Sequence, residues 1–305
     1  MKTAIVSGAG GFIGRAVVRE LVSNGYHVQC LVHNKIFGLE DCPNVEIIKF
    51  SLENIASLRC ILKPCETFYH FAWGGIAGTG RSDPKLQLNN AQWTIDALAL
   101  AKTIGCNKFV CAGSIMEYES IASMHKDGSR PGLGYIYGGG KVAAHIMAKS
   151  IASEIGIDLL WGVVTNTYGP GEVSQRFICS TLRKIINGEI PRFTSGIQNY
   201  DFVFIDDVAR AFRLIGENGV PFSEYIIGSS YPKPLKEFII EINQCVADGL
   251  NFTYGDIPFN GAELPMEVFD TKKTEEETGF RAEVSFKDGI IRTAQWLKEQ
   301  KITYE

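Results

Sequence analysis

Thr3-Ala4-Ile5-Val6-Ser7-Gly8-Ala9-Gly10-Gly11-Phe12-Ile13-Gly14 passes from a short apolar strand through a glycine turn into a helix. In that helix Phe12, Ile13, Val17, Leu21 and Val22 recur at helical spacing, and Asn24-Gly25 ends it. Gly8, Gly11 and Gly14 are evenly spaced across the turn. Glycine permits the tight turn and lets backbone N–H groups approach a pyrophosphate at the helix N-terminus; the third glycine lets the helix pack close to the sheet. Alone, such a triplet is an ordinary turn. Between a strand and a helix it points to dinucleotide binding.

Outward from this unit, further apolar strands are read at 27–32, 45–50, 67–72, 108–112 and around 159–164, with helical stretches between them, notably 85–104. Strands alternating with helices at this interval predict βαβ units, and so an α/β fold with a doubly wound, Rossmann-type parallel sheet. After Asn166-Thr167-Tyr168-Gly169-Pro170-Gly171 the alternation breaks down. A helix is expected at about 174–187 and a short extended piece at 190–194. Tyr200-Asp201-Phe202-Val203-Phe204-Ile205 then leads into a helix at Asp206 and Asp207, two acids that suit the positive end of the helix dipole. Proline, glycine and aromatics crowd 219–234 and 252–265, as expected of an irregular smaller lobe. There is no internal repeat and no low-complexity segment.

A chain of 305 residues, 45% of them hydrophobic, has room for one large α/β domain and a smaller second one. Its net charge of −4 is interspersed, without the basic block of a nucleic-acid binder. No apolar run approaches the length of a bilayer span. Met1-Lys2-Thr3 leads directly into the first strand, so no signal peptide is expected and the protein is read as cytoplasmic. None of the eight cysteines forms a Cys-x-x-Cys pair, which suits buried, reduced thiols. The five histidines show no ligand spacing, and no metal is expected.

The residue ending the second strand selects between the nicotinamide cofactors, because an acid there bonds the ribose 2′-OH and repels a 2′-phosphate. Here Leu31-Val32-His33-Asn34-Lys35 carries no carboxylate, and His33 and Lys35 can meet a phosphate. That favours NADP(H), with NAD(H) possible. Tyr137 and Lys141 stand four residues apart, one turn of a helix, with Ser114 upstream. A lysine so placed favours the phenolate, and a serine hydroxyl can share a substrate oxygen with the tyrosine. This is an acid/base device for moving a proton while a hydride moves elsewhere. Three consecutive glycines, Gly138 to Gly140, sit inside the same helix and forfeit about 1 kcal/mol each relative to alanine. Something is expected to approach that backbone closely: a partner helix, the cofactor or the substrate.

Together these pieces resemble the extended short-chain dehydrogenase/reductases, in the branch of NAD(P)-dependent nucleotide-sugar epimerases, dehydratases and reductases. The resemblance covers nearly the whole chain. Ser7-Gly8-x-x-Gly11-Phe12-Ile13-Gly14 resembles the cofactor loop, His70-x-Ala72 the segment after the fourth strand, and Asn90-x-x-x-Thr94 the next helix. Ser114-Ile115-Met116-Glu117-Tyr118 is similar to the catalytic-serine strand end, and Tyr137-x-x-x-Lys141 to the catalytic pair. Asn166-x-Tyr168-Gly169-Pro170-Gly171 and Asp201-Phe202-Val203-x-Ile205-Asp206-Asp207-Val208-Ala209 resemble two later signatures.

The resemblance implies a Rossmann domain with a seven-stranded parallel sheet, over 1–166 plus about 196–228, and a substrate lobe over about 167–195 plus 229–305. It implies Tyr137 as general acid/base, Lys141 on the nicotinamide ribose and Ser114 on the reacting oxygen. Cofactor contacts carry over to Gly8, Gly11, Phe12, Ile13, Gly14, Ser51, Leu52, Phe71, Ala72 and Asn90. Substrate contacts carry over to Ser114, Ile115, Met116, Asn166, Arg176 and Tyr200. A homodimer is implied, paired through a four-helix bundle that includes the Tyr-Lys helix.

The departures narrow the reaction. Dehydratases of this branch carry an Asp-Glu pair after the serine, and enzymes that epimerise at C3 and C5 carry a cysteine at the second of those places. Here the places hold Ile115 and Met116. What remains is redox at one carbon: a 4-keto-sugar reductase, favoured by the missing acid after Val32, or a 4-epimerase that keeps NAD bound. Two arginines usual near the diphosphate are replaced by Val163 and Tyr200, with Arg176, Arg183 and Arg192 as possible substitutes. Their loss leaves open a small-carbonyl reductase. A non-catalytic NADP(H)-sensing protein is the reading from another class, and retention of Ser114, Tyr137 and Lys141 argues against it. The long loop from Trp73 to Arg81 reads either as a lid beside the nicotinamide or as plain surface.

Overall fold

The structure is a computed structural model, and it describes residues 2–34, 36, 38–247, 250–259 and 261–303. Strand β1 (Lys2–Ser7) is buried from Ala4 onward and feeds α1 (Phe12–Ser23), whose Gly14, Val17, Val18 and Leu21 face the sheet. Strands β2 (Tyr26–Val32), β3 (Val45–Lys49) and β4 (Thr67–His70) follow, then α2 (Pro84–Thr103), capped by the Asp83 carboxylate on the N–H groups of Lys85 and Leu86. Strand β5 (Lys108–Ser114) turns into α3 (Met116–His125). The helix α4 (Tyr135–Ile155), closed by left-handed Gly156, returns to β6 (Asp158–Val164).

Beyond β6 come the short β7 (Asn166–Tyr168), α5 (Phe177–Ile186), β8 (Asn199–Tyr200), β9 (Phe202–Phe204) and α6 (Ile205–Asn218). The chain ends with β10 (Glu224–Ile227), β11 (Lys233–Pro234), α7 (Leu235–Val246), α8 (Lys272–Thr278) and α9 (Phe286–Thr303).

Seven strands form one wholly parallel sheet in the order β10-β6-β5-β4-β1-β2-β3. The order reverses at β1, where the chain goes first to β2 and β3 and then back across to β4, and ligands of such sheets bind outside the strand ends at that reversal. One face is covered by α1 and α6 through Val17, Leu21, Phe212 and Ile215; the other by α2 and α4 through Ala97, Leu98, Ala144 and Ala148. A third apolar cluster joins α5, α7 and α9 around Phe202, Phe238 and Ile290.

The expected strands and helices are present, with the helix expected at 174–187 shortened to Phe177–Ile186 and the extended piece expected at 190–194 reduced to a single bridge between Phe193 and Tyr254. The seventh strand, β10, lies within 219–234, a stretch the sequence marks as irregular. Asp207 does more than suit a helix dipole: it is buried and accepts bonds from the N–H groups of Glu283 and Val284 and from Arg210, tying α6 to the start of α9. Asp206 is exposed and pairs with Arg292 at 2.6 Å.

Candidate active site

The glycine turn is a cradle that side chains would fill. Gly8 has φ +71, and a Cβ there would lie 2.6 Å from the backbone nitrogen of Ala72; a Cβ on Gly14 would overlap the Gly8 carbonyl. Gly11 caps α1 without any side-chain bond, which leaves the first N–H groups of the helix, from Phe12 and Ile13, directed at the turn. A pyrophosphate fits this cradle. His33 is exposed at the end of β2, and Phe50 N–H bonds the Val32 carbonyl, bringing Ser51 and Leu52 beside it. Lys35 lies outside the described residues.

At the end of β4, Phe71 packs its ring on Phe212, on the α6 side of the sheet, and Ala72 meets Gly8. His70 is fully enclosed, with Ser7 Oγ 2.8 Å from Nδ1 and Thr94 Oγ1 3.4 Å from Nε2. Burial, aided by the nearby Lys141 charge, pushes it down to about 3, so it stays neutral. Asn90 is buried and grips Gly74 at both backbone atoms, its Oδ1 2.7 Å from the N–H and its Nδ2 2.9 Å from the carbonyl. Its amide therefore shapes the loop after β4. Gln87 adds bonds to the carbonyls of Gly75 and Gly80. The segment from Trp73 to Arg81 is thus built onto α2 and carried over the strand ends.

Tyr137 and Lys141 lie one turn apart on α4, both buried. Lys141 Nζ donates to the Ala112 carbonyl at 2.8 Å and stands 3.6 Å from the centre of the Trp73 ring. Trp73 meets Tyr137 edge-on at 6.1 Å, and its Nε1 donates to Gln87. The guanidinium of Arg81 lies 4.2 Å over the Tyr137 ring. The three glycines find different neighbours. A Cβ on Gly138 would overlap the Met116 carbonyl and Ser120 hydroxyl of α3, and one on Gly140 would come within 3.0 Å of Gln87 on α2. One on Gly139 would meet open space. Tyr135, two residues before Tyr137, accepts from Ala262 N–H at 2.5 Å.

Ser114 ends β5. Its N–H bonds the Glu117 carboxylate at 2.8 Å, and its Oγ accepts from Met116 N–H at 3.3 Å. Glu117 points away from the site and is held by Trp161 Nε1 and His145. Beside Ser114 and Tyr137 opens a cavity of about 400 Å³, which also takes in Ile115, Met116, Asn166, Arg176 and Tyr200. Every residue expected at the substrate therefore faces one space. Asn166 Nδ2 bonds the Asp201 carbonyl, and Asp201 itself is buried, tied to Thr165 and Ser229 as a strut for the β9 end. Of the three arginines considered as substitutes, only Arg176 reaches the cavity; Arg183 bonds the carbonyls of Ser174 and Glu172, and Arg192 that of Asp256.

The cavity also holds residues that no motif marks. Arg81 and Glu119 line it, as do Thr167 and Ser174, whose buried hydroxyls have no hydrogen-bond partner among the described residues. No three or more His, Cys, Asp or Glu side chains gather as a metal site among the described residues.

Fold and site define an NAD-binding enzyme of the extended short-chain dehydrogenase/reductase type. The chain belongs to the NAD dependent epimerase/dehydratase family, whose sequence pattern matches residues 4–228. It is similar to a dTDP-glucose 4,6-dehydratase of Streptomyces niveus, 22% identical over 99% of this chain and 94% of that one. Among solved structures, a UDP-glucose 4-epimerase of Thermotoga maritima with UDP-glucose gives a TM-score of 0.82 at 20% identity, covering 98% of this chain and 99% of that one. A dTDP-glucose 4,6-dehydratase of Bacillus anthracis in complex with NAD gives 0.80 at 18% identity, covering 99% and 98%. At these identities the structural likeness speaks for the fold alone. No helix among the described residues is long and apolar enough to cross a membrane.

Proposed function

We propose that this protein is a reductase of a 4-keto sugar carried on a nucleoside diphosphate, with Tyr137 as proton donor. The observation that carries the reading is the convergence of Ser114, Tyr137, Asn166 and Arg176 on one cavity beyond the ends of β5 and β6. The cofactor, when bound in the glycine cradle, supplies a hydride to the substrate carbonyl. Ser114 Oγ and the Tyr137 hydroxyl hold the carbonyl oxygen, and Tyr137 gives its proton as that oxygen becomes an alkoxide. Arg81 lies over the tyrosine ring, and Lys141, one turn further along α4, stands against Trp73.

The absence of a carboxylate between Val32 and Lys35 favours NADP(H). The family's NAD dependence and the NAD complex of the Bacillus anthracis relative support a second reading, a nucleotide-sugar 4-epimerase that keeps NAD bound. A nucleotide sugar as substrate agrees with the UDP-glucose of the Thermotoga maritima relative. We assign residues 167–195 and 229–305 to the substrate lobe. A homodimer through α2 and α4 is supported by exposed Leu88, Ile146 and Met147 and by the open face at Gly139. A cytoplasmic location completes the proposal.

The test mixes the protein with NADPH or NADH and dTDP-4-keto-6-deoxyglucose or its UDP and CDP counterparts, and follows nicotinamide absorbance. NADPH consumed in step with alcohol formed is expected. Interconversion of C4 epimers on purified enzyme, with no net oxidation of either cofactor, overturns the reductase in favour of the epimerase.

A further inference from the structure

Cys65 and Cys106 stand 41 residues apart in the chain, yet their sulfur atoms lie 3.2 Å from each other. The sheet brings them together. Strands β4 and β5 run parallel with Thr67 opposite Lys108, and the Glu66 carbonyl accepts from the N–H groups of Asn107 and Lys108. Continued two residues back, that register sets Cys65 opposite Cys106. Neighbouring strands lie about 4.8 Å apart, within the range of about 4.4–6.8 Å between Cα atoms that a disulfide spans.

Both thiols are buried in the apolar cluster that holds Leu62, Leu100 and Ile104. Cys65 is flanked in the chain by exposed Pro64 and Glu66, and Cys106 by exposed Gly105 and Asn107. Each sulfur therefore sits just under a surface turn, at the end of the sheet opposite Ser114, within reach of a small oxidant. The hydrogen bond from the Cys65 thiol holds Cys106 below the ordinary thiol range, against the effect of burial. The same bond raises Cys65, and burial adds to the rise. Cys106 is thus the sulfur that loses its proton first, and the thiolate is the form that attacks an oxidant.

We propose that Cys65 and Cys106 are a redox modification site, a thiol pair that a peroxide converts to a disulfide. The Cys106 thiolate attacks one peroxide oxygen, the O–O bond breaks, and hydroxide leaves a sulfenic acid on Cys106. The Cys65 sulfur then attacks that sulfur, the S–O bond breaks, and the oxygen departs as water with the Cys65 proton. Two thiols and one hydrogen peroxide give one disulfide and two waters; the sulfurs lose two electrons and the peroxide takes them up. A dithiol reductant restores the thiols, so the change is reversible. The disulfide closes β4, the loop from Trp73 to Arg81 and α2 into one covalent ring, which contains Gln87 and Asn90, the residues that hold that loop over the strand ends. Closing a ring takes freedom from the unfolded chain, so the oxidised protein is the more stable form. The site works without cofactor or substrate and stands apart from the proposed reaction.

The experiment treats the full chain with hydrogen peroxide, blocks the remaining thiols by alkylation and locates the product by intact mass and peptide mapping. Wild type is expected to lose the mass of two hydrogen atoms and to yield a peptide cross-linked between Cys65 and Cys106 within one chain. Dithiothreitol should reverse the link. The oxidised protein should melt about 5 °C or more above the reduced one. Cys65→Ala and Cys106→Ala should each lose both the cross-link and the rise in melting temperature. If neither variant folds, the map of the wild type decides by itself. Sulfenic or sulfonic acid at Cys65 or Cys106 without the cross-link overturns the proposal, as does a disulfide through exposed Cys60 in its place. A cross-linked protein that melts at or below the reduced one overturns the stabilising ring.

Discussion

The guanidinium of Arg81 lies 4.2 Å over the ring of Tyr137, reaching it from a loop tied down by Gln87 and Asn90. That contact holds the ring in place, and partly buried cation–π contacts are worth about 1 kcal/mol. Arg81→Ala is therefore expected to lower kcat about tenfold, about 1.4 kcal/mol in the barrier. Arg81→Lys should fall between. Steady-state kinetics on the keto-sugar panel checks this, and an unchanged kcat in Arg81→Ala would remove Arg81 from the chemistry.

Trp73 follows Ala72, which meets Gly8, and its ring lies 3.6 Å from the Lys141 ammonium. A dinucleotide extending from Gly8 at the end of β1 to Lys141 must pass this ring at the end of β4. Cofactor binding should change Trp73 emission, and Trp73→Phe should lose that change while the other three tryptophans report as before. An identical fluorescence response in Trp73→Phe would place the cofactor away from Trp73.

The glycines of α4 should respond unequally to alanine. Gly139 faces open space, so Gly139→Ala gains helix propensity and is expected to stabilise by about 1 kcal/mol. At Gly138 the added methyl meets a backbone carbonyl that cannot turn aside, and Gly138→Ala is expected to cost about 1–3 kcal/mol. Denaturant unfolding of the two variants measures this. If Gly139→Ala also weakens a dimer in sedimentation, the open face at that position is a subunit contact.

The raised value of Glu119 has a signature in stability. Folded, its carboxyl keeps a proton up to about pH 7, whereas the unfolded chain releases it near 4.5. The folded state binds more protons in that window, so this group's contribution to stability falls as pH rises through it. Glu119→Gln should therefore raise the thermal midpoint above wild type at about pH 8, and the gain should shrink towards pH 4. His70 acts with the opposite sign: held neutral down to about 3, it costs stability as pH falls from 6.5 to 3. A Gln variant that gains equally at both pH values would show that Glu119 titrates normally.

Most of the frame was legible because periodicity and turn chemistry report local structure. The strand-turn-helix at Gly8 and the alternation through Val164 fix a parallel sheet, and the four-residue spacing of Tyr137 and Lys141 fixes their shared face. The triple glycine signalled close approach correctly, but only α3 and α2 say which glycine meets what. Strand β10 escaped because its four residues sit between Pro221-Phe222 and Gly228-Ser229, where turn residues dominate the pattern. Arg81, Thr167 and Ser174 carry no motif; they matter only through where the fold sends them. Glu119 had a faint signal, its spacing from Met116, which gains meaning once α3 is known to line the cavity.

The central claim is that Tyr137 moves the proton. Removing one hydroxyl tests it most directly. In Tyr137→Phe, single-turnover reduction of dTDP-4-keto-6-deoxyglucose or its UDP or CDP counterpart should fall by about a thousandfold or more, within the range for loss of a general acid. Calorimetric binding of NADPH or NADH should stay close to wild type. Turnover within a few fold of wild type in that variant would contradict the assignment.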